Sequence, residues 1–198
     1  MRLDESRYAT PAQVSAFYRE ALARVRVLPG VSAAAMVTGM PYSRNAVNLP
    51  LAIEGQSPEK GTPPAVMVQS VSGDYFRALN VPLRAGRFLG DMDGPEQPRV
   101  AVVSERLARR FFAGRSPIGE RIRVGPNGPW LTIAGVTGDI AQSVMDREPQ
   151  ATVYLPYLQA PVREMNLGLR VSSGGPLALA SAVTAAVRSI DPEQPIEN

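Results

Sequence analysis

Residues 99–114 read RVAVVSERLARRFFAG, and the way this stretch folds determines what kind of protein the chain can be. A β-prone aliphatic run, Val100 to Val103, ends at Ser104, and the segment after it carries Arg106, Arg109 and Arg110 together with Phe111 and Phe112. On a helix advancing about 100° per residue, Leu107, Ala108, Phe111 and Phe112 fall on one arc and the three arginines on the opposite one. The phenylalanines are therefore expected in the core and the arginines on a solvated rim. Ser104 suits an N-cap, Glu105 complements the positive end of the helix dipole, and the late arginines complement the negative end. The stretch reads as a strand entering a short helix through a capping serine.

Catalysis at that serine would need a sharp turn of the G-x-S-x-G kind and a base. Val102-Val103-Ser104-Glu105-Arg106 lacks both glycines, and the 198-residue chain has no histidine and no cysteine. Its one lysine, Lys60, sits in the loop SPEKGTPP. The same absences remove thiolate nucleophiles, disulfides and zinc sites built from Cys and His. Neither G-x-x-x-x-G-K-[ST] nor G-x-G-x-x-G occurs, so no phosphate loop is expected.

Charge excludes little more. With 21 Lys plus Arg against 18 Asp plus Glu, the net charge is +3. Basic clusters occur only at Arg106, Arg109, Arg110 and at Arg121, Arg123, whereas nucleic-acid binders gather positive charge on one face. No nucleic-acid partner is expected. No run reaches the ~20 apolar residues of a membrane helix. The start, MRLDESRY, and the end, DPEQPIEN, both read as cuts in a longer protein.

Outward from the opening stretch, periodicity assigns the remaining elements. Thr10 and Pro11 start a helix in which Val14, Phe17, Tyr18, Ala21, Leu22, Val25 and Leu28 recur at spacings of three and four, and Pro29-Gly30 ends it. Strands are expected at Val31–Thr38, Ala65–Val71, Arg121–Val124, Trp130–Val136, Thr152–Tyr157 and Asn166–Ser172. SGDYFRALN predicts a short helix, and a final helix presents Ala180, Val183, Val187 and Ile190 on one face before Asp191-Pro192 stops it. This order fits an α+β fold, a βαβ-containing sandwich with an inserted strand-rich lobe.

Three groups of residues merit attention as sites. Asp91 and Asp93 resemble the start of a calcium loop, but the glycine comes too early and no closing acid follows, so an ordinary polar loop is expected. Asp74, Asp139, Asp146 and Glu148 lie near element ends without a spacing that pairs them for acid–base work. Residues 39–63, rich in Gly, Pro, Ser and Asn, form a long excursion with a short strand near Leu49–Ile53. Tyr42, Asn45, Asn48 and Leu49 within it are the candidate partner-binding residues, since binding concentrates in loops carried on rigid scaffolds.

Five phrases, taken together, carry a family resemblance: GDYFRALNVPLRAGRFL, PRVAVVSERLARRFFAGRSPIGERIRV, LTIAGVTGDI, ATVYLPYLQ and LGLRVSSGGPLALASAVTAAVRSIDPEQPI. In this order and spacing they resemble the extracytoplasmic domain of MacB-like ABC transporter permeases of the FtsX/MacB type, including variants in acidobacterial duplicated permeases. The resemblance implies a Porter-like subdomain from residues 1–86 and 161–198, truncated before its last strand, with a Sabre-like subdomain inserted at 87–160. It implies a non-catalytic domain placed between membrane helices, moved by ATP hydrolysis elsewhere through mechanotransmission, and touching substrate or a periplasmic adaptor. No catalytic, metal or cofactor-binding residues are implied, the isolated domain is expected to be a monomer, and the full-length permease a dimer. A free-standing periplasmic or surface binding module and a carboxylate-based hydrolase are the alternatives.

Overall fold

The computed structural model describes residues 1–41, 47–56, 63–142, 148–172 and 176–196. The first helix, α1 (Pro11–Arg26), opens with a capping box in which Thr10 and Gln13 satisfy each other's backbone N–H groups. Its apolar stripe, Val14, Phe17, Tyr18, Ala21, Leu22 and Val25, is fully buried. Strands β1 (Val31–Val37), β2 (Val47–Ile53) and β3 (Ala65–Val71) follow, then α2 (Tyr75–Ala78) and β4 (Leu83–Gly86). The opening stretch forms β5 (Val100–Ser104) and α3 (Glu105–Phe111). After it come β6 (Arg121–Val124), β7 (Leu131–Thr137), β8 (Thr152–Pro156), β9 (Asn166–Val171) and α4 (Ala180–Arg188).

Among the described residues the nine strands join one sheet, ordered β2-β6-β7-β5-β8-β3-β1-β9, with β4 paired to β7 and β2 also paired to β3. That last pairing closes β2, β6, β7, β5, β8 and β3 into a six-stranded ring. β3 is the splice between ring and remainder. Its first residues pair with β2 (Val66 opposite Leu49, Val68 opposite Val47), while Val71 at its end pairs with Val37 of β1. Its other edge runs parallel to β8.

The pleat explains how two cores share these strands. Ala101, Val103 and Val153 point into the ring with Leu51, Ile53, Val66, Ile122, Leu131 and Ile133. The alternating Val100, Val102 and Tyr154 point to the other face, against Tyr75, Phe76 and Leu89. A third cluster packs α1 and Val187 of α4 on β1, with Leu167 and Leu169 of β9 beside them. The apolar clusters therefore do not divide at residue 87. β2 and the first half of β3 supply Leu51, Ile53 and Val66 to the core of the strand-rich lobe.

One facing expectation is corrected. Leu107 is buried as expected, but Phe111 is only half-buried and Phe112 is the residue sealed in the ring. The helix ends at Phe111, and Phe112 takes φ −128°, ψ 30°, outside helical geometry. The 100° count no longer applies to it, and its ring turns inward.

Candidate functional site

Ser104 is completely buried, and its Oγ accepts hydrogen bonds from the N–H of Leu107 at 3.3 Å and of Thr152 at 3.0 Å. It caps α3 and ties the helix start to β8. The cap has a second member that sequence spacing does not reveal: Asp139 Oδ1 accepts from the Arg106 N–H at 2.6 Å, and its Oδ2 accepts from Arg109 at 2.9 Å. Arg106 also pairs with Glu148. Asp139 and Glu148 are thus brought to one helix, where arginines engage both. They hold α3 in place, and the Ser104 hydroxyl at the same helix start is engaged by the Leu107 and Thr152 N–H groups. Lys60 and Asp146 lie outside the described residues.

The Asp91–Asp93 loop is organised around a cation of the protein itself. Asp93 is nearly sealed from solvent, takes a bidentate pair of hydrogen bonds from Arg87 at 2.6 and 2.9 Å, and accepts from the Gly90 N–H at 2.9 Å. Burial pushes the Asp93 carboxyl up, but the Arg87 guanidinium and the Gly90 N–H outweigh it and hold the group below the ordinary aspartate range. The pair fastens the loop after β4. β4 itself lies close against β7 because both partners at the crossing are glycines. A Cβ on Gly86, whose φ is +71°, would stand 2.2 Å from the Ala134 carbonyl oxygen, and one on Gly135 would stand 2.1 Å from that of Arg87.

A groove of about 800 Å³ lies between α2 and the segment 88–91. Phe76 and Phe88, stacked with ring centroids 5.3 Å apart, belong to its wall. At its rim Asp74 is held between Arg26 at 3.0 Å and Arg77 at 3.2 Å, and Asp91 lies on the rim as well. The Arg26 Nε is enclosed without a hydrogen-bond partner. One aromatic wall and a rim of both signs suit a group that is part apolar and part charged. The groove has nothing to attack such a group with.

Of the four candidate partner-binding residues, Tyr42 and Asn45 lie outside the described residues. Asn48 and Leu49 sit within β2, paired opposite Met67 and Val66; the strand expected near Leu49–Ile53 begins two residues earlier and takes in Asn48. Asn48 is exposed, and Leu49 packs part of its side chain on the ring core. The pairing of β2 with β6 carries them to the base of the β6–β7 turn, where the Gly125 N–H donates to the Pro50 carbonyl at 2.9 Å.

No helix among the described residues is long and apolar enough to cross a membrane. The family model described as the MacB-like periplasmic core domain matches residues 4–194. Over 116 residues the chain is 30% identical to the probable syringafactin export ATP-binding/permease protein SyfD of Pseudomonas syringae pv. tomato, a match covering 55% of this chain and 17% of that protein. Over 91 residues it is 32% identical to the macrolide export ATP-binding/permease protein MacB of Shewanella sp. (strain W3-18-1), covering 46% of this chain and 14% of that one. The chain therefore spans only a small part of the length of these relatives. In fold it is similar to the periplasmic region of MacB from Actinobacillus actinomycetemcomitans, with a TM-score of 0.62 at 16% identity, over 86% of this chain and 72% of that chain. The extracellular domain of the transporter YknZ from Gram-positive bacteria gives 0.60 at 13% identity, over 88% and 84%. The family match runs over nearly the whole length and agrees with a sheet of this architecture. The chain belongs to the MacB-like periplasmic core domain family and is the periplasmic core domain of a MacB-like ABC transporter permease.

Proposed function

We propose that this domain is a moving, non-catalytic part of its permease, displaced by ATP hydrolysis in a separate cytoplasmic domain or subunit. The observation that carries the reading is the unbroken sheet. The α1/α4 lobe packs on β1, β1 is hydrogen-bonded to the end of β3, and β3 and its parallel neighbour β8 belong to the ring. A displacement of that lobe would be handed to the ring through hydrogen-bonded strands rather than through a loose linker. We assign residues 1–86 and 161–198 to a Porter-like part and 87–160 to a Sabre-like part, with β2 and the first half of β3 lent to the second. The exposed ring side is the surface for a periplasmic adaptor or substrate, with Asn48 and Leu49 at its margin. The relatives named as exporters favour outward transport.

These 198 residues contain no cysteine, so spin labels are placed on introduced cysteines after any cysteine elsewhere in the permease is replaced. Val27 and Met92 are 79% and 87% exposed. In the full-length dimer, labels at Val27→Cys of the two copies should change separation on ATP binding, while the Val27–Met92 distance within one copy stays constant. ATP turnover with an unchanged separation between copies would overturn the reading.

A further inference from the structure

The β6 sequence RIRV alternates strictly, and the ring turns Ile122 and Val124 inward. Arg121 and Arg123 consequently share the outer face. Arg121 lies opposite Thr132 and Ile122 opposite Leu131, and the same register carried one residue further sets Arg123 opposite Trp130. Both guanidinium groups reach that indole, Arg123 at 5.0 Å and Arg121 at 5.7 Å from the ring centroid. Arg121 is spoken for, since it pairs with Glu54 at 2.7 Å. Arg123 is not. Among the described residues no carboxylate pairs with it, and its Nε is enclosed without a hydrogen-bond partner.

We propose that this outer face of the β6–β7 hairpin, centred on Trp130 and Arg123, docks an acidic segment of a protein partner. An arginine stacked on an aromatic ring keeps its planar fork oriented, so a carboxylate gains two aligned donors with little further loss of side-chain freedom. Two cations against the one acid, Glu54, leave the face net positive. Trp and Arg are also the residues that most often carry interface energy. The site is on strands rather than loops, which holds its geometry fixed. A lipid surface is the weaker match, because none of the exposed large apolar residues among those described, Val27, Val47, Leu83, Met92 and Val162, belongs to this hairpin. The proposal deepens the partner contact proposed above and rests on that reading.

Trp130 is the only tryptophan in the chain, so its fluorescence reports this face alone. Titrating the 198-residue chain with hexaglutamate should give a saturable change that weakens with salt. In Arg123→Gln the affinity should fall about tenfold, the scale of one interface hot spot, with an unchanged melting temperature showing that the fold is intact. A flat titration, or an equal response in Arg123→Gln, overturns the proposal. Phosphatidylglycerol vesicles that shift Trp130 where the peptide does not would overturn it in favour of a membrane contact. In the full-length permease, a photo-crosslinking residue at Asn127 should give an adduct with a periplasmic protein that Arg123→Gln removes. Adducts arising only from the other lobe, for example at Val27, would overturn the hairpin site and leave the partner reading standing. Adducts from neither position would overturn both.

Discussion

The helix-covered lobe and the six-stranded ring are both packed around apolar clusters, yet they draw them from the chain in different ways. In the first, a single 16-residue helix supplies Val14, Phe17, Tyr18, Ala21, Leu22 and Val25, and α4 and β9 arrive from the far end of the sequence to complete the layer. Polar straps then tie the two ends together. Asp191 accepts from Arg7 at 2.7 Å and from the Tyr8 hydroxyl at 2.9 Å, and Gln194 donates to the Arg2 carbonyl at 3.0 Å. In the ring each strand contributes one to three inward side chains, and closure rather than a long amphipathic face does the gathering. The contrast teaches that a lobe can be cohesive either by periodicity or by topology. The two kinds of cohesion should fail in different ways.

The sharpest test removes the plug of the ring. Phe112→Ala should cost about 3–5 kcal/mol in denaturant unfolding, as expected for an emptied phenylalanine site. The half-buried Phe111→Ala should cost about 1–2 kcal/mol. The reverse order would show that the helix continues through Phe112. Placed beside a helical-lobe variant such as Leu22→Ala, Phe112→Ala should lower one common transition, because Tyr154, Val102 and Phe76 join the two lobes. Two separate transitions would break the comparison. Next in size, Asp191→Ala removes the acceptor shared by Arg7 and Tyr8. Measured by thermal melting, it should cost about 1.5–3 kcal/mol, and it should spare the ring if hydrogen exchange is followed strand by strand.

The Arg87–Asp93 clasp adds a pH dependence. The folded carboxyl lies below its unfolded value, so its contribution is complete above the unfolded value of about 3.9. It is lost as pH falls through the lower folded value. Asp93→Asn should therefore flatten the stability curve on the acid side, and a variant that keeps the full acid slope would locate the titration elsewhere. Smallest of all, Arg109→Ala should change stability by about 0.5 kcal/mol or less. That side chain is 60% exposed, even though it touches Asp139.

Legibility in the sequence follows the same division. The buried stripe of α1 is legible to the residue, since a 3.6-residue period and a Thr-Pro start depend only on neighbours in the chain. Strand limits at Ala65–Val71 and Arg121–Val124 are legible because alternation and flanking turns are local as well. Ring closure is not. Nothing in LNVPLRAG or VNLPLAI states that β4 will lie on β7 or that β2 will pair with β6, since those choices are made by residues 49 to 73 positions away. The capping role of Asp139 is hidden for the same reason, lying 33 residues from the amide that it accepts from. At Phe111 the local rule misleads, because the helix ends there and Phe112, buried as expected, takes the sealed position in its stead.

The strand shared by both lobes has a mechanical consequence. A pull along β3 from its Val71 end would load the parallel bonds to β8 and the antiparallel bonds to β2 in shear, all at once, rather than peeling them one at a time. Five register positions on one side and four on the other would resist together. β3 therefore serves as a tensile member, stiff along its own axis, while its link to β1 is short, made by the Val37–Val71 register position and by the Thr38 and Ser72 N–H groups donating to the Ser70 and Met36 carbonyls.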